Sequence, residues 1–279
     1  LILALFISQW GQISEDIFSA FSNDSQSNSF GGEVWEVHYL DVGQGDCILI
    51  NGPDGAILID GGNPGDGDDI AKYLRQQGIS NLHTVIATHP HSDHIGGLKD
   101  IVNTFPIKNI YMPDIQHNSS TFLNLLKVIE EKGYRIKEAK ANIGLSVGSE
   151  IKAVFLGPVR KDYEDLNNFS AVLYLKIKNI SFLFMGDAEK EAENDLKGEI
   201  KADILKVGHH GSDSSTGEDF LKRVNPSIAV ISVGKNNPYN HPDKEVINRL
   251  EKKEIKTYTT ANDGTIVILT DGIRYKVVQ

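Results

Sequence analysis

From Val34 onward the chain repeats one arrangement: a short run rich in β-branched residues, then Gly, Asp or His where an ordinary turn would serve, then helical spacing. The clearest instances are Asp60-Gly61-Gly62, His89 to His94, Gly186-Asp187 and Gly208-His209-His210, each closing an apolar run. Strands are expected over 34–40, 47–50, 56–59, 84–88, 152–156, 171–177, 181–185, 203–207, 228–233 and 265–269. Helices are expected over 68–77, 97–104, 120–132, 189–196, 217–224 and 244–253. Pro53-Asp54-Gly55 and Lys178-Asn179 read as hairpin turns, so the sheets of this α/β chain should be mixed and partly antiparallel. Polar groups gathered where strands end are the usual makings of an α/β site.

At 279 residues with no internal repeat, the chain from residue 33 to 279 is read as one domain. A net charge of −10 gives no overall field for nucleic acid or an anionic membrane, so a polyanionic substrate must be held locally. The single cysteine, Cys47, excludes an internal disulfide and a cysteine-built zinc site. Residues 1–32 read as an apolar segment, LILALFI, followed by a Ser- and Asn-rich linker. The apolar segment is the remnant of a signal peptide or membrane anchor, or else a helix packed on the domain.

The segment His89-Pro90-His91-Ser92-Asp93-His94 carries the most chemistry. On a chain still extended after the strand, His89 and His91 point to one side and can share a metal. Asp93 and His94 follow, where Gly96-Gly97 allows a tight turn into a helix, and can reach a second metal beside the first. Imidazole and carboxylate ligands suit zinc first, then manganese or iron.

These residues, together with HYLDVGQGDCILI (38–50), LIDGG (58–62), NNFSAVLYL (167–175), FLFMGDAE (182–189), DILKVGHHGS (203–212) and NPYNHP (237–242), resemble the metallo-β-lactamase superfamily. Within it the chain is similar to the hydrolase domain of ComEC-type DNA-uptake proteins and to related secreted phosphodiesterases. The resemblance implies a four-layer αββα sandwich with two divalent metal ions at one edge. It implies His89 and His91 as ligands of the first metal, Asp93 and His94 of the second, and Asp187 as the carboxylate bridging both. One of His209 and His210 completes the second site, His210 being preferred, with the other facing the substrate. Asp93, His209 and His241 form the implied catalytic group, and Asp60 implies a buried partner that orients the metal loop.

The chain departs from the superfamily's pattern in two places. Asn167, Asn168 and Ser170 stand where many relatives place a third histidine, so the first site should be the poorer one. His91 stands where many ComEC-type chains have Asp, which brings this chain closer to the fully armed hydrolases. The function expected is hydrolysis of a phosphodiester, in DNA or a small molecule, without a stable nucleic-acid complex and outside the cytoplasm, secreted or at a bacterial cell surface. Hydrolysis of another ester or lactone, and a silent metal-binding domain, are the competing readings. The loop DVGQGD (41–46) reads as a site wall or a tight hairpin, and Lys99, Lys108, Lys206 and Lys235 as a local phosphate track. His38, His83 and His117 read as structural or exposed, and no EF-hand spacing occurs in 61–69.

Overall fold

A computed structural model describes residues 30–278. Its first sheet follows from β1 (Trp35–Tyr39), β2 (Ile48–Asn51), β3 (Ile57–Ile59), β4 (Leu82–Ile86), β5 (Ile107–Met112) and β6 (Ile136–Glu138). The second contains β7 (Gly144–Leu145), β8 (Ile151–Phe155), β9 (Leu173–Ile177), β10 (Ile180–Phe184), β11 (Ile204–Lys206), β12 (Ile228–Ile231) and β13 (Lys256–Thr259). Two last strands, β14 (Ile266–Thr270) and β15 (Tyr275–Val278), return to the first sheet. The strand orders are β15-β14-β1-β2-β3-β4-β5-β6 and β13-β12-β11-β10-β9-β8-β7. The expected hairpins pair β2 with β3 and β9 with β10 antiparallel, whereas β3 to β6 and β10 to β13 run parallel.

Alternation along the strands divides the apolar residues among three large cores and a small fourth cluster. Val37, Tyr39, Ile48, Ile50, Ile57 and Ile59 face Leu173, Leu175, Phe182, Phe184, Ile204 and Val230 between the sheets. Their sequence neighbours turn outward: Leu49 and Leu58 meet Ile70, Leu74, Ile101 and Leu125 from helices on the first sheet. Leu183, Leu205 and Ala229 likewise meet Phe220, Leu221 and Leu250 on the second. Both faces of the central strands are therefore buried, which is why β3, β10 and β12 read as nearly continuous apolar runs, and the result is the expected αββα sandwich. A large side chain such as Phe184, 1% exposed between the sheets, contributes enough that its truncation to Ala should cost about 3–5 kcal/mol.

The sequence reading missed β5, β6, β7, β13 and β15. In β5 lysine and asparagine interrupt the apolar pattern, and β6, β7, β13 and β15 are short or half-exposed strands at the sheet margins. The apolar start and most of the linker expected over 1–32 lie outside the described residues. At the linker's end, Phe30 packs against the pair Val267 and Leu269, and the Gly31 N–H donates to Asp271 at 3.2 Å. Among the described residues no helix is long and apolar enough to cross a membrane.

Candidate metal centre

The parallel strands β3, β4, β10, β11 and β12 end at one edge of the sandwich, and the polar segments that follow them converge there. Asp60, directly after β3, has a left-handed backbone (φ 60°) that turns its carboxylate inward. It accepts the Thr88 N–H at 2.8 Å and the Thr88 hydroxyl at 2.6 Å, and holds His94 Nδ1 at 2.8 Å. His94 sits on a short helix (Ser92–Ile95), where this clamp leaves its Nε2 facing the site. This helix is additional to the one expected after the Gly96-Gly97 turn, which forms over Leu98–Thr104.

Asp187 stands at the centre. Its Oδ2 lies 3.2 Å from Nε2 of His94, 3.5 Å from His210, 3.6 Å from His89 and 3.9 Å from His209. Its Oδ1 is buried without a hydrogen-bond partner. Burial alone would raise the pKa of Asp187, yet His210, His94 and His89 hold it well below the ordinary carboxylate range. Burial likewise opposes charge on His94, but Asp187 and Asp60 push its pKa well above 6.5. A buried carboxylate with an orphaned oxygen, ringed by imidazole nitrogens, is a donor set that fits divalent cations. Of three groups compact enough to hold one, two contain Asp187 or Asp93, namely His89, His94 and Asp187, and Asp93, His94 and His210; the third, Asp46, Asp60 and His94, lies behind them.

His91 lies outside those two groups. It is half-buried, with its Nδ1 3.0 Å from His89 Nε2 and the two rings edge to face at 4.7 Å. His89 and His91 thus share a side, as expected from an extended segment. Behind His89 stand the hydroxyls of Thr88 at 3.1 Å and Ser170 at 3.5 Å from its Nδ1. Ser170 also accepts the Asp187 N–H at 3.0 Å, so at the place of a third histidine the chain carries a buttress. Asn168 is turned away, its amide oxygen taking the N–H groups of Glu189 and Ala192 at 3.1 and 3.3 Å.

His209 and His210 both face the site through an unusual backbone turn. Both histidines have left-handed backbones themselves (φ 46° and 50°), with Gly211 continuing at φ 80°. Consecutive non-glycine residues in that region cost of order 1–3 kcal/mol each, strain that clusters at functional sites. His210 Nδ1 donates to the Ser232 carbonyl at 2.9 Å, which aims Nε2 to within 3.3 Å of Asp93. His209 Nδ1 is held instead by Glu189 at 3.0 Å and Ser214 at 3.2 Å. Burial opposes its charge, but Glu189 and Asp187 raise its pKa above 6.5.

The mouth of the site is a cavity of about 350 Å³ whose lining includes Gln44, His91, Asp93, Asp187, His209, Tyr239 and His241. His241 is 5.8 Å from His209 ring to ring and stacks with Tyr239, also at 5.8 Å, whose side chain is 63% exposed. Asn237 pins this loop: its Oδ1 accepts the N–H groups of Tyr239 and His241 at 3.1 Å, and its Nδ2 donates to the His241 carbonyl at 2.6 Å.

The DVGQGD loop is a wall of this site. Gly45 lies so close to the Asp93 carbonyl that a Cβ would sit 2.3 Å from it, and Asp46 N–H donates to that carbonyl at 3.1 Å. Gln44 crosses to the loop after β12, accepting the Gly234 N–H at 3.1 Å. The expected lysine track needs correction. Lys206 is fully buried, 2.7 Å from Asp46, because its strand has both faces covered. Two histidines outside the metal-ligand motifs also find places: His38 is buried against the Tyr73 hydroxyl at 2.7 Å, and His117 lies 6.5 Å ring to ring from His91. Only the second of these borders the site. Its position depends on the long loop after β5, a strand the sequence reading had missed.

The model of the metallo-beta-lactamase superfamily matches residues 40–235. The chain belongs to that superfamily. It is 33% identical over 252 residues to "ComE operon protein 3" of Bacillus subtilis, an alignment covering 83% of this chain and 32% of the relative. It is 31% identical over 242 residues to "Recombination protein 2" of Haemophilus influenzae, covering 84% and 28%. The chain thus spans about a third of the length of the curated relatives it matches. Among solved structures, a diphosphatase from the PhnP family superposes with a TM-score of 0.51 at 12% identity, covering 85% of this chain and 98% of that one. The diiron β-hydroxylase CmlA superposes with a TM-score of 0.54 at 14% identity, covering 85% and 54%. These two likenesses show the fold, within a superfamily of metal-dependent hydrolases.

Proposed function

We propose that the chain is a two-metal phosphodiesterase of nuclease type. The observation that carries this reading is Asp187: one buried carboxylate oxygen within 4.0 Å of four imidazole nitrogens, its other oxygen orphaned. His89 and His91 would hold one ion, and Asp93, His94 and His210 the other, with Asp187 shared between them. Bound there, two divalent ions, zinc or manganese, supply a nucleophile from water near neutral pH and neutralise charge on a phosphoryl oxygen. His209 donates Nδ1–H to Glu189, and in the imidazolium form that Glu189 and Asp187 favour it carries a second proton on Nε2 into the cavity, where it can pass to the leaving oxygen. His241, beside it at the mouth, is placed to hydrogen-bond a phosphate oxygen.

The names of the relatives, with competence and recombination among them, support DNA as the substrate and an extracytoplasmic, cell-surface setting. The net charge of −10 supports transient engagement at this cavity over a stable nucleic-acid complex. A second reading, hydrolysis of a carboxylic or thioester, draws on 39% identity over 51 residues to the hydroxyacylglutathione hydrolase 2 of Vibrio vulnificus, 18% of this chain. A screen of zinc- and manganese-loaded protein against single- and double-stranded DNA, RNA, phosphorylcholine esters, a lactone and a thioester separates the two. Cleavage of phosphodiesters is expected. Turnover of the thioester or lactone alone would reverse the order.

A further inference from the structure

Behind the candidate ligands lies a second, fully buried layer of charge. Asp46 Oδ2 is 2.7 Å from Lys206 Nζ, and Lys206 also donates to the Val207 carbonyl at 2.9 Å. On its other side Asp46 approaches the rear nitrogens of both histidines that face Asp93 and Asp187: His210 Nδ1 at 3.5 Å and His94 Nδ1 at 4.0 Å. Asp46, Asp60 and His94 are close enough together to cage a cation themselves. Lys206 and Asp46 are 0% and 1% exposed, so solvent screens neither.

We propose that Lys206 is the internal cation that sets the charge of the metal centre, leaving the loaded site, with its water still protonated, one unit positive and so matched to a phosphodiester monoanion. The bookkeeping uses four carboxylates, Asp46, Asp60, Asp93 and Asp187, which contact one another through His94 and His210. Among the described ion pairs, Lys206 is the lysine or arginine partner of this group, and Glu189 is matched separately by His209. Three negative charges remain, and two divalent ions convert them to one positive charge. Without the ammonium the loaded site would be neutral, holding its metals more tightly and an anion less well. The buried lysine thereby exchanges metal affinity for anion affinity, and it does so without touching either ligand. Lys206 is in this sense a positioning residue for charge, acting through Asp46.

This inference rests on the two-ion reading above, and the test separates their failures. Zinc affinity, and the affinity of the zinc-loaded protein for dimethyl phosphate, are measured for the wild type, Lys206→Met and the double variant Asp46→Asn/Lys206→Met. In Lys206→Met zinc should bind about tenfold more tightly and dimethyl phosphate about tenfold more weakly, the scale of one unit charge at several ångströms in a partly screened interior. The double variant, which removes both charges, should bring both values back toward the wild type. A purely structural lysine would make zinc binding weaker or leave it unchanged in Lys206→Met, and that result overturns the proposal. Should Lys206→Met be too unstable without metal for titration, the rise in Tm on adding zinc is compared instead over a temperature range where the metal-free variant still melts cooperatively. A larger rise than in the wild type supports the proposal, and an equal or smaller one overturns it. Wild-type protein that binds no zinc would remove the two-ion reading and this inference with it.

Discussion

The two sides of Asp187 are built to different standards. On one side His94 and His210 are buried, and each has its rear nitrogen committed, to Asp60 at 2.8 Å and to the Ser232 carbonyl at 2.9 Å. On the other side only His89 is buried, backed by two hydroxyls at 3.1 and 3.5 Å, while His91 is half-exposed and touches little beyond its neighbouring imidazoles. An imidazole whose rear N–H is donated to a carboxylate or carbonyl has a fixed tautomer and ring orientation, and metal affinity follows from both. The difference teaches that the Asp93–His94–His210 side should bind first and tightly, and the His89–His91 side later and loosely.

Removing the shared residue should erase the distinction. Asp187→Ala leaves four imidazoles without their common anion, and both ions should be lost with all turnover, read as metal content after gel filtration. Retention of one ion at unchanged affinity would show that Asp187 is not shared. His94→Ala strikes the tight side first, because Asp60 clamps its Nδ1 at 2.8 Å and its Nε2 lies 3.3 Å from that of His210. Turnover should vanish while circular dichroism stays near the wild type, and normal activity would exclude the histidine segment from the chemistry.

Smaller effects sharpen the contrast. His209→Ala should lower the rate by roughly 10²–10⁴-fold at full metal occupancy, the usual contribution of a positioned acid, because His209 is anchored by Glu189 outside all three compact groups. Loss of metal in that variant would instead make it a ligand. Asp60→Asn should weaken the tight side by about 10–100-fold through a misoriented His94 and the loose side less. Isothermal titration resolves the two steps, and equal weakening of both would mean that the asymmetry lies elsewhere.

Much of this site was legible in the sequence because its residues sit in contiguous motifs at strand ends, where alternation and glycine spacing reveal which side chains can meet. His89 and His91, Asp187 and the His209-His210 pair meet as the motifs suggest. What stayed hidden depends on contacts between segments far apart in the chain. Lys206 reads as one more surface lysine until β11 is seen buried on both faces beside Asp46. The left-handed turn at His209 and His210 had no residue signal, since neither is glycine or asparagine. The strands β6, β7, β13 and β15 are held by pairing along a sheet edge more than by their own apolar pattern, and so left little trace.

The central claim is an unequal pair of metal sites joined by Asp187, and calorimetric titration of the metal-free chain with zinc tests it most directly. The proposed two-ion site predicts two ions per chain, binding in separate steps, the tighter step lost in His94→Ala and the looser one weakened in His91→Ala. One ion per chain, or two of equal affinity affected alike by both substitutions, would contradict it.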